Sequence, residues 1–161
     1  MSPEFRVTTR ISRPLADVFD AVVNPKKLSA YFVTTGGGAN APLREGTTVV
    51  WWGDVSVEVD RVVPNDRIEL RWDASTPPGE SGYKTKVEMS FAALDDGGTM
   101  VTIAESGWRE NENGVRKSYL NCEGWTQMLC CLKAYVEHGI NLREGYYRSE
   151  MHGEPAREHN L

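Results

Sequence analysis

Apolar and polar positions alternate at the start of the chain. Phe5, Val7, Thr9 and Ile11 stand against Arg6, Thr8 and Arg10, the two-residue period of a half-buried strand. The period then lengthens. Leu15, Val18, Phe19 and Val22 fall at i, i+3, i+4 and i+7, one stripe of a short helix, with Pro14 near its start, Ser12 or Arg13 as its cap and Asp17 in its first turn. Asn24-Pro25 ends this helix, and a further turn carries Leu28, Tyr31 and Phe32. Gly36-Gly37-Gly38 and Ala39-Asn40-Ala41-Pro42 read as a flexible connection with no phosphate-loop pattern.

From Thr47 the period is two again. Val49 and Trp51 alternate with Val50 and Trp52, and Gly53-Asp54 turns the chain. Val55, Val57 and Val59 oppose Ser56, Glu58 and Asp60; after Pro64-Asn65-Asp66, Ile68, Leu70 and Trp72 oppose Glu69, Arg71 and Asp73. An exposed, mobile loop is expected over Ser75–Gly82. Tyr83, Thr85, Val87, Met89 and Phe91 then alternate with Lys84, Lys86, Glu88 and Ser90, and Asp95-Asp96-Gly97-Gly98 signals a hairpin back through Val101, Ile103 and Glu105. The pattern predicts six strands, the last five in an antiparallel meander because their connections are too short for parallel crossovers. A long helix is predicted over Ser118–His138, from the spacing of Trp125, Met128, Leu129, Leu132 and Val136, with Gly139 as its C-terminal cap. Gly124 lies inside it at a cost of about 1 kcal/mol relative to Ala, which suggests tight packing there.

A strand, a short helix, a meander and a long C-terminal helix make an α+β domain whose helices can all cover one sheet face. The order predicts one domain over residues 1–142, followed by a polar tail over 143–161. With 18 Lys+Arg against 23 Asp+Glu, the net charge of −5 argues against nucleic acid and against a polybasic membrane anchor. No apolar run is long enough to span a bilayer, and no signal peptide is expected at the N-terminus. Cys122 would lie about 12–13 Å along the helix from Cys130 and Cys131, too far for a disulfide within it, so reduced thiols and a cytoplasmic location are expected.

Several motifs, in order, carry a family likeness. They are Pro14-x-x-x-Val18-Phe19-x-Ala21, Asn24-Pro25-x-x-Leu28, Gly46, the run Val62-Val63-Pro64-Asn65-Asp66-Arg67-Ile68-Glu69-Leu70-Arg71-Trp72, and Gly124-Trp125-x-x-x-Leu129-x-x-Leu132-x-x-Tyr135. Over roughly residues 5–140 the chain resembles the START-like (SRPBCC) superfamily, and within it the domain similar to the C-terminal part of the activator of heat-shock protein 90 ATPase. The resemblance implies the helix-grip fold, a curved six-stranded antiparallel sheet wrapped around the long C-terminal helix. It departs from many relatives at Tyr31-Phe32, where they carry tryptophan, and in the polar stretch Arg109–Gly114.

Candidate chemistry is sparse. His138 suits a helix C-terminus, and His152 and His159 have no metal-ligand pattern; Cys130-Cys131 is not C-x-x-C, so neither a metal nor a cofactor is implied. Glu105 shares the inward parity of Val101 and Ile103. It reads either as a carboxylate at the mouth of the sheet, solvated or paired with an arginine, or as a polar group inside a cavity with a raised pKa. Trp72, Tyr83, Phe91, Trp108 and Trp125 are expected to converge, joined by whichever of Trp51 and Trp52 faces inward. With Met128, Leu129 and Leu132 they would line a space between sheet and helix, although each ring alone reads equally as core. The leading expectation is a binding protein for a hydrophobic, aromatic or lipid-like small molecule. The alternatives are a protein-interaction domain with a chaperone partner, as the family name suggests, and a cyclase- or hydrolase-like enzyme using Glu105 and Tyr83. A homodimer stays open.

Overall fold

The computed structural model describes residues 1–145. Its elements are β1 (Phe5–Ile11), α1 (Leu15–Val23), α2 (Pro25–Tyr31), β2 (Thr48–Trp51), β3 (Val55–Val63), β4 (Arg67–Asp73), β5 (Lys84–Ala93), β6 (Thr99–Ser106) and α3 (Glu112–His138). The strands form one curved antiparallel sheet in the order β1-β6-β5-β4-β3-β2. β2 to β6 are the expected meander, and β1 closes onto β6 with Phe5 opposite Glu105 and Ile11 opposite Thr99. This is the α+β helix-grip architecture.

Strand alternation sorts the residues. Val57, Val59, Ile68, Leu70, Val87, Met89, Val101 and Ile103 are buried on the inner face, where Trp125, Met128, Leu129 and Leu132 of α3 complete the same core. The outer face carries ion pairs such as Arg71 with Asp60 at 2.6 Å and Lys86 with Glu69 at 3.3 Å. Exposed pairs of this kind add little to stability. The inner face holds the fold; the outer face meets the water.

The helix ends differ from expectation in three places. Neither Ser12 nor Arg13 caps α1: Pro14 occupies that position in extended backbone with no side-chain cap, while the Ser12 amide bonds the Glu137 carboxylate at 3.2 Å. α2 is capped by Asn24, whose side-chain oxygen accepts from the Lys26 amide at 3.0 Å. α3 begins at Glu112 instead of Ser118, because the Asn111 side chain accepts from the Gly114 amide at 2.8 Å and starts the helix inside a polar stretch. Gly139, with φ of 67°, ends it as expected.

Two glycine segments also differ. Gly124 does not pack tightly, since a Cβ built there would meet nothing within 4 Å. Conversely, the Gly36–Gly38 segment is not a loose connection. Gly36 has φ of 63°, and a Cβ there would run into the Trp52 carbonyl, so this loop is pressed onto the β2–β3 turn.

The tail expected over 143–161 is described only to Gly145; His152 and His159 lie outside the described residues. Within the described part, Arg143 is buried and sets its guanidinium 4.7 Å from the centre of the Phe32 ring. Among the described residues no helix is long and apolar enough to cross a membrane, and no cluster of His, Cys, Asp or Glu could hold a metal. The three cysteines are free thiols: Cys122 half-buried, Cys130 exposed and Cys131 buried.

Candidate functional site

Glu105 stands at the inner end of β6, and its side chain is 1% exposed. It is neither solvated nor paired with an arginine, so the reading of a carboxylate at the mouth of the sheet is overturned. Instead, neighbouring elements aim neutral donors at it. Oε1 accepts from Trp125 Nε1 of α3 at 2.8 Å. Oε2 accepts from Trp72 Nε1 of β4 at 2.9 Å and from the Thr85 hydroxyl of β5 at 2.6 Å. The Asn121 amide of α3 bridges both oxygens at 3.1 Å.

Local structure explains the convergence. Val87 is the cross-strand partner of Glu105, and Trp72 is the partner of Thr85, so Thr85 and Trp72 follow along the same inward parity. Asn121 and Trp125 are one helical turn apart and share a face of α3. The result is a buried carboxylate knitting three strands to the long helix. Burial pushes its pKa above the ordinary glutamate range, and the hydrogen bonds from Thr85, Trp72, Trp125 and Asn121 offset part of that rise.

An indole N–H can only donate, and a carboxylate has roughly four lone-pair positions. The donors around Glu105 therefore occupy its accepting capacity. A general base needs a lone pair aimed at a substrate; this one is engaged with the protein itself. The arrangement saturates the carboxyl group with donors, and proton transfer to a substrate would first require a donor to leave.

Beside it lies a ring cluster. Trp72 and Trp125 are 5.2 Å apart at 30°, Phe32 lies 5.8 Å from Trp125, and Trp51 lies 6.1 Å from Trp72. Trp51 and Trp52 both join, touching Phe32 at 6.2 and 5.1 Å, where alternation allowed only one. The reason is backbone geometry: Trp52 has φ of 53°, which breaks the strand alternation at the turn. A left-handed residue other than glycine costs roughly 1–2 kcal/mol. The Nε1 atoms of Trp51, Trp52 and Trp108 are buried without a hydrogen-bond partner.

The five expected aromatics do not converge; only Trp72 and Trp125 meet. Phe91 packs edge-on against Phe19 at 5.1 Å, six residues and about 20 Å along β5 from Thr85. Trp108 packs at a tilt of 32° against Phe5, with ring centroids 5.7 Å apart. Tyr83 precedes β5, accepts from the Arg109 amide at 3.0 Å and carries the Arg109 guanidinium 4.3 Å above its ring. Parity sets the face of a sheet but not the position along it, so rings of equal parity part company. Met128, Leu129 and Leu132 are buried with the core. Thr85 and Asn121 escaped the sequence reading; the i+4 spacing from Asn121 to Trp125 was the available signal.

Two surface clefts among the described residues lie elsewhere. One, of about 660 Å³, is lined by Ser29, Ala30, Thr34, Asn141, Glu144 and Gly145; the other, of about 340 Å³, by Glu80, Asn111, Glu112, Asn113 and Arg116.

Residues 12–137 match the family model described as "Activator of Hsp90 ATPase homolog 1-like protein". The chain belongs to this family. Among solved structures, the protein SSP2350 of Staphylococcus saprophyticus is 24% identical with a TM-score of 0.71, the alignment covering 88% of this chain and 96% of that one. DynU16, described as a putative protein in the dynemicin biosynthetic locus, is 25% identical with a TM-score of 0.69, covering 84% of this chain and 48% of that one. PFC0360w of Plasmodium falciparum, described as an HSP90 activator, is 20% identical with a TM-score of 0.64, covering 84% and 96%. At these identities the first and third likenesses concern the fold alone. No curated relative matches the sequence.

Proposed function

We propose that this member of the family is a protein-docking domain of the heat-shock protein 90 activator kind. Its surface supports this reading. Val115, Tyr119 and Leu120 are exposed on the first turns of α3, Tyr119 at 72%. An exposed apolar set on a helix suits a partner surface, and Tyr is a residue type enriched where binding energy concentrates. The interior adds support at Glu105, which finds its donors Trp72 and Trp125 within the chain. The family description, and the description of PFC0360w as an HSP90 activator, point the same way.

The test is an ATPase assay of heat-shock protein 90 from the same cell, with and without this chain. Stimulation that Tyr119→Ala reduces at least tenfold in apparent affinity is the expected result. The absence of both binding and stimulation by the folded protein would overturn the proposal. On this reading the protein works in the cytoplasm with its thiols reduced, as a monomer or a homodimer.

A second reading has its own support. Trp51 and Trp52 bury indole N–H groups that lack acceptors beside the ring cluster, and each such group costs about 1–3 kcal/mol. A hydrophobic or aromatic small molecule, or a lipid-like one, carrying an oxygen acceptor would satisfy them, with Trp72, Trp125, Met128, Leu129 and Leu132 around it. A stoichiometric copurifying mass in native mass spectrometry supports this reading. An apolar fluorescent probe that leaves tryptophan emission unchanged counts against it. Catalysis by Glu105 and Tyr83 has the least support, because Tyr83 contacts Arg109 and Glu105 is held by other residues.

A further inference from the structure

We propose that Glu112–Gly124, the N-terminal half of α3, is a lid over Glu105, hinged at Gly124 and latched by Asn121. The two halves of α3 are held differently. The second half buries Trp125, Met128, Leu129, Cys131 and Leu132, whereas the first buries only Gly114 and Ser118. Its large apolar residues, Val115, Tyr119 and Leu120, face solvent at 38%, 72% and 45% exposure. Little hydrophobic free energy therefore keeps the first half on the sheet, because stabilisation of this kind scales with apolar area removed from water.

Polar contacts hold it instead. Asn121 bridges the two Glu105 oxygens at 3.1 Å, and Asn113 donates to the Ser75 carbonyl at 3.4 Å. At the leading end, Arg109 is anchored to the Ser81 carbonyl at 2.8 Å and to Tyr83. The boundary between the halves is Gly124. A Cβ there would meet nothing within 4 Å, so no close packing accounts for the glycine. A glycine inside a helix lowers its local stability about fivefold relative to alanine.

Opening at Gly124 moves Asn121 away while Trp125, Trp72 and Thr85 keep their places. Each Glu105 oxygen then loses one donor, and the carboxylate is uncovered beside the ring cluster. The device goes beyond both functional readings, and an ATPase assay leaves it untouched.

Native-state amide exchange on the full chain, repeated at increasing urea below the unfolding transition, tests it. Amides of residues 116–123 are expected to exchange through an opening nearly independent of urea. Those of 128–136 should wait for global unfolding, with its full urea dependence. Asn121→Ala should speed exchange in 116–123 by about tenfold. Identical rates and urea slopes in the two halves of the wild type would overturn the lid, whatever the variant does. Unchanged exchange in 116–123 of Asn121→Ala would overturn the latch.

Discussion

Replacing Glu105 by Gln keeps the shape of the site and reverses the chemistry of one atom. Place the new amide nitrogen where Oε1 stands. It can give one hydrogen to Asn121, whose own amide is free to turn and present its oxygen. It has no lone pair for Trp125 Nε1, now a donor 2.8 Å from a donor. In the opposite orientation Thr85 can turn its hydroxyl, but Trp72 Nε1 at 2.9 Å is left facing a donor in the same way. Either way one buried indole N–H loses its acceptor, at about 1–3 kcal/mol. The pH dependence follows from the raised pKa of Glu105. Above the unfolded value of about 4.3 and below the higher native value, the folded protein binds more protons than the unfolded chain. Wild-type stability attributable to this group is therefore fully present below about pH 4 and declines as pH rises through the native pKa. The substituted amide cannot titrate. Urea unfolding followed by tryptophan emission, wild type against Glu105→Gln, should show a gap of about 1–3 kcal/mol at acid pH that narrows as pH rises. A gap that widens with pH, or a variant as stable as wild type at acid pH, would refute the reasoning.

The other expected outcomes concern packing. Leu132 is fully buried on the sheet-facing side of α3, so Leu132→Ala should cost about 2–5 kcal/mol in urea unfolding, and a loss below about half a kcal/mol would mean the helix is not gripped. Gly36→Ala drives a methyl into the Trp52 carbonyl at a positive φ, and should destabilise by about 1–3 kcal/mol with altered emission from the neighbouring indoles. Gly124→Ala should stabilise by up to about 1 kcal/mol, measured as a higher midpoint with unchanged urea slope; a loss of stability would show that the space beside Gly124 is not open.

Strand periodicity made most of the fold legible in the sequence. Alternation at Phe5–Ile11 and through the meander corresponds to the observed strands because a sheet with one buried face demands it. The start of α3 was not legible, because Glu112–Lys117 carry no apolar stripe and one asparagine cap decides where the helix begins. The site was half legible. Parity brought Glu105, Trp72 and Trp125 to one interior, and their contacts agree. It failed for Phe91, Trp108 and Tyr83, since depth along a strand has no sequence period. It also failed at Trp52, where a left-handed turn residue overrides alternation.

The closure of β1 onto β6 has a consequence for how the chain reaches this state. Phe5 is made well before its partner Glu105, which emerges only after the whole meander. At roughly 5–20 residues per second, the first strand waits about 5–20 seconds on the ribosome for the neighbour it needs. Hairpins from β2 onward can pair as they appear, because each lies next to its successor. The low-separation contacts thus form first and the most distant one last, the order that loop-closure entropy favours. Until then Phe5, Val7 and Ile11 are an unpaired apolar strand on the nascent chain, the segment most in need of protection during synthesis.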